Sequence, residues 1–231
     1  MMTLGVLLSG SGTNLQAIID AIDAGRLHAR IGVVISNLPD AYGITRARAH
    51  GIEVEVLPHR GFPSREAYDA QLVESLRAHD VELVVLAGFM RIVTRVLLEA
   101  FPARVLNIHP ALLPAFPGLH GERQALEYGV RITGVTVHLV DEQTDHGPIV
   151  AQAAVPVLPD DTEETLHARI QVQEHRLYPL AIQLIAEGRA RVEGRHVLID
   201  RQLARTDAAL ANPTPAPTPS GDRPRGPTSS T

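Results

Sequence analysis

The run LVVLAG, Leu83–Gly88, carries four large aliphatic residues and then two small ones, with nothing polar for either face of a strand. Successive strand side chains point to opposite faces, so a strand apolar at every position must be covered on both sides. That is the habit of parallel sheets. Reading outward, Val6–Ser9 and Ile31–Ser36 are further apolar strands, Val54–Leu57 is a short strand, and Val105–Ile108 is another. Helical stretches separate them. Asn14–Ala24 sets Leu15, Ile18, Ile19 and Ile22 on one face, and Ala41–Gly51 and Arg65–His79 follow. Strands alternating with helices predict an α/β fold, a three-layer Rossmann-like sheet, mostly parallel, with helices on both faces.

The rhythm changes further on. Thr133–Val140 and Ile149–Val157 are extended segments with no helix between them, which predicts an antiparallel C-terminal addition to the sheet. Thr162–Ala186 is a long amphipathic helix, with Thr162 placed to cap it and acids in its first turn. Residues 190–200 have the pattern of a terminal hairpin. From about Thr206 the chain turns to Pro, Thr, Ser and Gly with few large apolar residues, a composition that does not bury enough surface to order. The expected organisation is one domain, 1–205, and a disordered tail, 206–231.

With 231 residues, 45% hydrophobic, the chain is long enough for one sizeable core. A net charge of -5 gives no electrostatic case for binding nucleic acid or a membrane. No stretch approaches the roughly 18 apolar residues of a membrane span. The N-terminus lacks a basic segment and a small-residue cleavage site, so a cytoplasmic location is expected. There is no cysteine, which removes thiolate nucleophiles, disulfides and Cys-ligated zinc. There is no lysine either; all 21 basic residues are arginine, which removes Schiff-base catalysis and the P-loop lysine.

Three segments carry chemistry. In SGSGTNLQ, Ser9–Gln16, glycines between a strand and a helix let backbone approach a ligand, and the free N–H groups of the helix start favour an anion. Leu15 stands where a dinucleotide fingerprint has its third glycine, and the next strand ends in Ser36-Asn37 rather than an acid, so a single phosphate fits better than a pyrophosphate. In VLNIHPALLPAFPG, Val105–Gly118, Asn107 and His109 share one face where a strand stops. At the carboxyl end of a parallel strand, two adjacent donors suit an oxyanion developing at a carbonyl carbon. In DEQTDHGPI, Asp141–Ile149, turn residues flank Asp145, so a loop can hold it in a cleft. His138, His146 and the acids around them match no standard ligand spacing, and no metal is expected.

Together, GSGTNLQAIIDA, LAGFMRI, NIHPALLPAFPGLH, VTVHLVDEQTDHGPIVAQ and QEHRLYPLAI resemble the folate-dependent phosphoribosylglycinamide (GAR) formyltransferases, and they span nearly all of residues 4–200. Asn-x-His-Pro with a later Asp belongs to the wider formyltransferase superfamily, whereas GSGTNLQ, PGLH and EHRLYP are more specific to the GAR enzymes. The resemblance implies formyl transfer from 10-formyltetrahydrofolate to the amine of GAR, in purine biosynthesis, without a metal. It implies that Asn107 and protonated His109 stabilise the oxyanion and that Asp145 supports His109 and relays the proton. It implies a GAR site at Gly12, Thr13, Asn14, Gly88, Pro110 and Glu174. The folate would lie against Phe89, Met90, Arg91, Ile92 and Val93, with its pterin edge at the Val140–Asp145 loop, Val140 and Asp141 included. It also implies a cis bond before Pro114. The loop departs from the commonest family pattern at His146, where a small residue usually stands; an imidazole there is placed to alter the Asp145 carboxylate or the loop's mobility.

Three other readings follow from the same residues. A formyltetrahydrofolate hydrolase shares the triad but brings an N-terminal regulatory domain, for which a first strand near residue 4 leaves no room. A non-catalytic folate- or nucleotide-binding module has no need to retain Asn107, His109 and Asp145 together. A methionyl-tRNA formyltransferase needs a C-terminal RNA-binding domain that a 26-residue tail cannot supply. The expected partners are therefore small molecules, to a monomer or homodimer.

Overall fold

The computed structural model describes residues 1–200. The expected tail, and the last five residues assigned to the domain, lie outside them. Strands β1 (Met2–Leu8), β2 (Ala29–Ser36), β3 (Val54–Val56), β4 (Leu83–Leu86) and β5 (Val105–His109) run parallel, and β6 (Ile132–Leu139) and β7 (Ile149–Pro156) add antiparallel pairs. The sheet order is β3-β2-β1-β4-β5-β6-β7. Among the described residues a separate hairpin, β8 (Ala190–Glu193) and β9 (His196–Ile199), closes the chain.

The LVVL strand behaves as its pattern requires. Leu83 and Val85 enter one core, with α1 (Thr13–Asp23), α2 (Tyr42–Ala49) and α6 (Glu163–Ala186). Val84 and Leu86 enter the other, with α3 (Arg65–Ala78) and α4 (Arg95–Ala100). The first strand begins at Met2 rather than Val6, because Gly5 weakens the strand signal in sequence. A side chain there would meet Leu76 Cδ2 at 2.4 Å, so the glycine is what lets α3 sit close to the sheet.

Two short helices escape the sequence pattern, α4 and α5 (Gly121–Tyr128). The first has six residues with only Leu97 fully buried, too few for a helical period to register. The second starts at His120 and ends at Gly129, both left-handed, with no capping side chain to announce it.

Tyr178 fastens α6 to the sheet. It is fully buried, and its hydroxyl donates towards the carbonyls of Leu86 (2.9 Å) and Leu106 (3.0 Å), at the ends of β4 and within β5. Burial pushes the phenol pKa well up, so the donor keeps its proton. Tyr178→Phe is expected to cost about 1–3 kcal/mol, the penalty for buried acceptors left unmet. Urea unfolding should show a lower midpoint with an unchanged m-value.

Strand order reverses between β1 and β4, the switch point at which open α/β sheets place their ligand crevice. Everything described next lies at the carboxyl ends of β1, β4 and β5.

Candidate active site

A cleft of about 980 Å³ opens there, and every candidate residue named from the sequence lines it. One end is the Ser9–Asn14 turn. Gly12 takes φ 68°, and a side chain on it would sit 2.6 Å from the Gly43 Cα, so only glycine lets the turn pack on α2. Arg46 donates to the Ser11 carbonyl at 2.9 Å and Gly43 N–H to that of Gly10 at 3.0 Å, which holds the turn. No side chain caps α1, so its first amides face the cleft.

Across this end stands α6. Glu174 is buried and accepts from Asn14 Nδ2 at 3.0 Å, and Gln171 Nε2 donates to Thr13 Oγ1 at 3.1 Å. Burial raises the Glu174 pKa, against the pull of the Asn14 bond.

The other end is formed by Phe89–Val93 and Val140–Asp145. Phe89 belongs to the second core as well as to the cleft wall, whereas Met90 and Ile92 are exposed. The segment is pinned at both ends by side chains: Met90 N–H donates to the buried Ser9 Oγ at 2.9 Å, and Thr94 N–H donates to the buried Asp69. Arg91 lies over the Tyr68 ring. Gly88 and Pro110 line the middle, beside the catalytic candidates.

Val105, Asn107 and His109 share one face of β5. Val105 is covered by the α3–α4 core, and that cover ends before Asn107. Both ring nitrogens of buried His109 face oxygen acceptors. Nε2 is 2.8 Å from the Phe116 carbonyl and Nδ1 is 3.4 Å from Asp145 Oδ2. A carbonyl and a carboxylate both accept, and only the imidazolium offers a proton to each.

Asp145 sits at φ 50°, a left-handed conformation costly for a residue other than glycine. Its Oδ2 accepts from the Gly118 N–H at 2.7 Å. Burial by itself would raise its pKa, but the bond from the Gly118 N–H and the charge of His109 outweigh that and hold it below the usual value. The carboxylate is ionised at neutral pH.

His138 was named from sequence only among possible metal ligands, and its actual position is one the sequence reading missed. It lies opposite Asn107 in the antiparallel β5–β6 pair, so it shares Asn107's face. Nε2 is 3.2 Å from Asn107 Nδ2 and 3.6 Å from Asp145 Oδ1, and Nδ1 donates to the Leu139 carbonyl at 3.0 Å. The shorter contact is the one within hydrogen-bond range, and it makes His138 the acceptor that orients the Asn107 amide. The alternation of TGVTVHLV, with Val135, Val137 and Leu139 all in one core, was the available signal that His138 points the other way.

His146 turns away from Asp145. Its Nδ1 bonds Asp141 Oδ2 at 2.7 Å, closing the loop on itself, so the expected influence on the Asp145 carboxylate is not direct. The Leu113–Pro114 bond is cis, as the resemblance implied.

The formyl transferase family profile matches residues 2–182. The chain is 45% identical over 201 residues to phosphoribosylglycinamide formyltransferase of Escherichia coli (strain K12), covering 87% of this chain and 95% of that one. It is 48% identical over 189 residues to the trifunctional purine biosynthetic protein adenosine-3 of Drosophila melanogaster, covering 81% of this chain but 14% of that protein. Among solved structures, glycinamide ribonucleotide transformylase 1 from Symbiobacterium toebii superposes with a TM-score of 0.85 at 57% identity, covering 86% of this chain and 94% of that one. On these matches the chain belongs to the formyl transferase family, in its phosphoribosylglycinamide formyltransferase branch.

Proposed function

We propose that this chain transfers the formyl group of 10-formyltetrahydrofolate to the amine of GAR, a reading supported by relatives named phosphoribosylglycinamide formyltransferase. The observation that carries the reading is the convergence of Asn107, His109 and Asp145 in one cleft, midway between an anion-binding turn and an apolar segment. A bisubstrate transfer needs that layout, with a phosphate at one end, a flat folate at the other and the reacting atoms between.

The neutral amine attacks the formyl carbon, and charge collects on the formyl oxygen. Asn107 donates one amide hydrogen to His138, leaving the second for that oxygen. His109 supplies the positive charge. Its Nδ1–H stands 3.4 Å from Asp145, longer than a charge-assisted bond, so an oxygen entering the cleft competes for the proton. Asp145, ionised and next to the reacting centre, takes the proton from the amine and returns it to the departing folate nitrogen. Gly12, Thr13 and Asn14 hold the phosphate, Glu174 the ribose hydroxyls, and Gly88 and Pro110 flank the glycinamide. Phe89, Met90, Arg91, Ile92 and Val93 face the folate, with Val140 and Asp141 at its pterin edge. The chain needs no metal for this and acts in the cytoplasm.

An absorbance assay with 10-formyl-dideazafolate tests the reading. Turnover is expected only when GAR is present. Turnover without GAR would mean a hydrolase, and binding of either ligand without turnover would mean a binding module.

A further inference from the structure

The anion-binding turn has no lysine to serve it, and Arg46 already donates to the Ser11 carbonyl and Gln16. Another basic side chain stands beside it on the cleft wall. His167, one turn before Gln171 on α6, has its Nδ1 2.7 Å from Oε1 of Glu122, a buried residue in the first turn of α5. Its Nε2 lies 3.5 Å from Gln171 Nε2, the same amide nitrogen that donates to Thr13 Oγ1. With Nδ1 donating to Glu122, a neutral His167 accepts from Gln171 at Nε2, whereas the imidazolium presents an Nε2–H that has no acceptor in that contact.

We propose that His167, held by Glu122, is a further binding residue for the phosphate of the acceptor substrate, acting with Gln171 and the α1 amides. The inference rests on the GAR reading of the turn. A phosphate dianion at a helix N-terminus is met by dipoles alone; an imidazolium N–H adds a charge-assisted bond.

The surroundings favour the charged form of that imidazole. Its pKa is raised, first by the bond to Glu122 and further by Glu174 and Glu163, against the cost of burial. The Glu122 pKa is lowered, because His167 and the charge of His109 outweigh burial. The remaining charged groups are at a further remove. His120 and Arg123 face Glu163 at 3.6 and 3.0 Å, and the turn itself carries no titratable side chain.

The test is calorimetric titration of the full chain with ribose 5-phosphate, beside steady-state kinetics. His167→Gln, which keeps a donor but no charge, is expected to weaken ribose 5-phosphate roughly tenfold or more, the scale of one charged hydrogen bond. KM for GAR should rise by the same factor, with kcat and the folate KM within about twofold. Above neutral pH, where the phosphate stays a dianion, wild-type affinity should fall with rising pH as His167 loses its proton, and His167→Gln should be flat. Glu122→Gln should move that loss to lower pH. Unchanged ribose 5-phosphate affinity in His167→Gln would overturn the proposal, as would equal rises in both KM values, and a lower unfolding temperature with unchanged affinity would reduce the pair to a tie between α5 and α6. His167-dependent binding without GAR turnover would support this site and sink the acceptor reading instead.

Discussion

Asp145→Asn is expected to keep the fold and the affinity for GAR while losing most of kcat, by a factor of roughly 10² to 10⁴, the range for a lost acid–base group. The side chains are nearly isosteric, and the amide oxygen can still accept from the Gly118 N–H that now bonds Oδ2. What disappears is the negative charge. His109 then has no counter-ion at Nδ1, and no carboxylate stands ready to carry the proton from the amine to the folate nitrogen. The phosphate turn lies at the far end of the cleft and is untouched, so KM for GAR should stay within about twofold. Near-wild-type kcat in this variant would remove the relay from the mechanism.

The same variant carries a pH signature in stability. The folded-state pKa of Asp145 lies below its unfolded value, so the carboxylate contributes stability that is fully present above the unfolded pKa of about 3.9. That contribution fades as pH falls through the lower folded value. Asp145→Asn should therefore be less stable than wild type at pH 7, with the gap closing below about pH 4. A gap independent of pH would show that the charge is not what the fold uses there.

Asn107→Ala is expected to cost about 3–4 kcal/mol of transition-state stabilisation, 10² to 10³ in kcat, as for other lost oxyanion donors. The residue is well prepared for the role. His138, across the β5–β6 pair, accepts one amide hydrogen and so fixes which end of the side chain faces the cleft. Because charge on the formyl oxygen grows only as the amine attacks, both KM values should change little. A variant with a raised KM and normal kcat would mean that Asn107 holds a substrate rather than the oxyanion. Asn107→Asp is a stricter version, since a carboxylate offers no donor and repels the developing charge.

Much of the architecture was readable from periodicity. A strand apolar at every position, LVVL, can only be satisfied by cover on both faces, and its residues divide between the two cores by parity. The Asn107/His109 pair was readable on the same ground, since i and i+2 of a strand share a face whatever surrounds them. Asp145 was a different matter. Turn chemistry gives a loop but not its direction, and the resemblance, not the spacing, supplied its role. The short helices α4 and α5 were invisible because one or two turns hold too few buried positions to make a pattern.

What the sequence determined by itself, then, is whatever follows from local alternation: the class of fold, the glycine turn ahead of a helix, and two donors at a strand end. What only the tertiary structure decided is every pairing across long separations. His138 stands opposite Asn107 because of the β5–β6 register, and register depends on how two strands slide against each other in the whole sheet. His146 points to Asp141 rather than Asp145 because the loop closes at a left-handed residue. Glu122 and His167 meet across 45 positions because α5 and α6 flank the same cleft. No local rule links residues that far apart; their distance is set by packing of the elements that carry them.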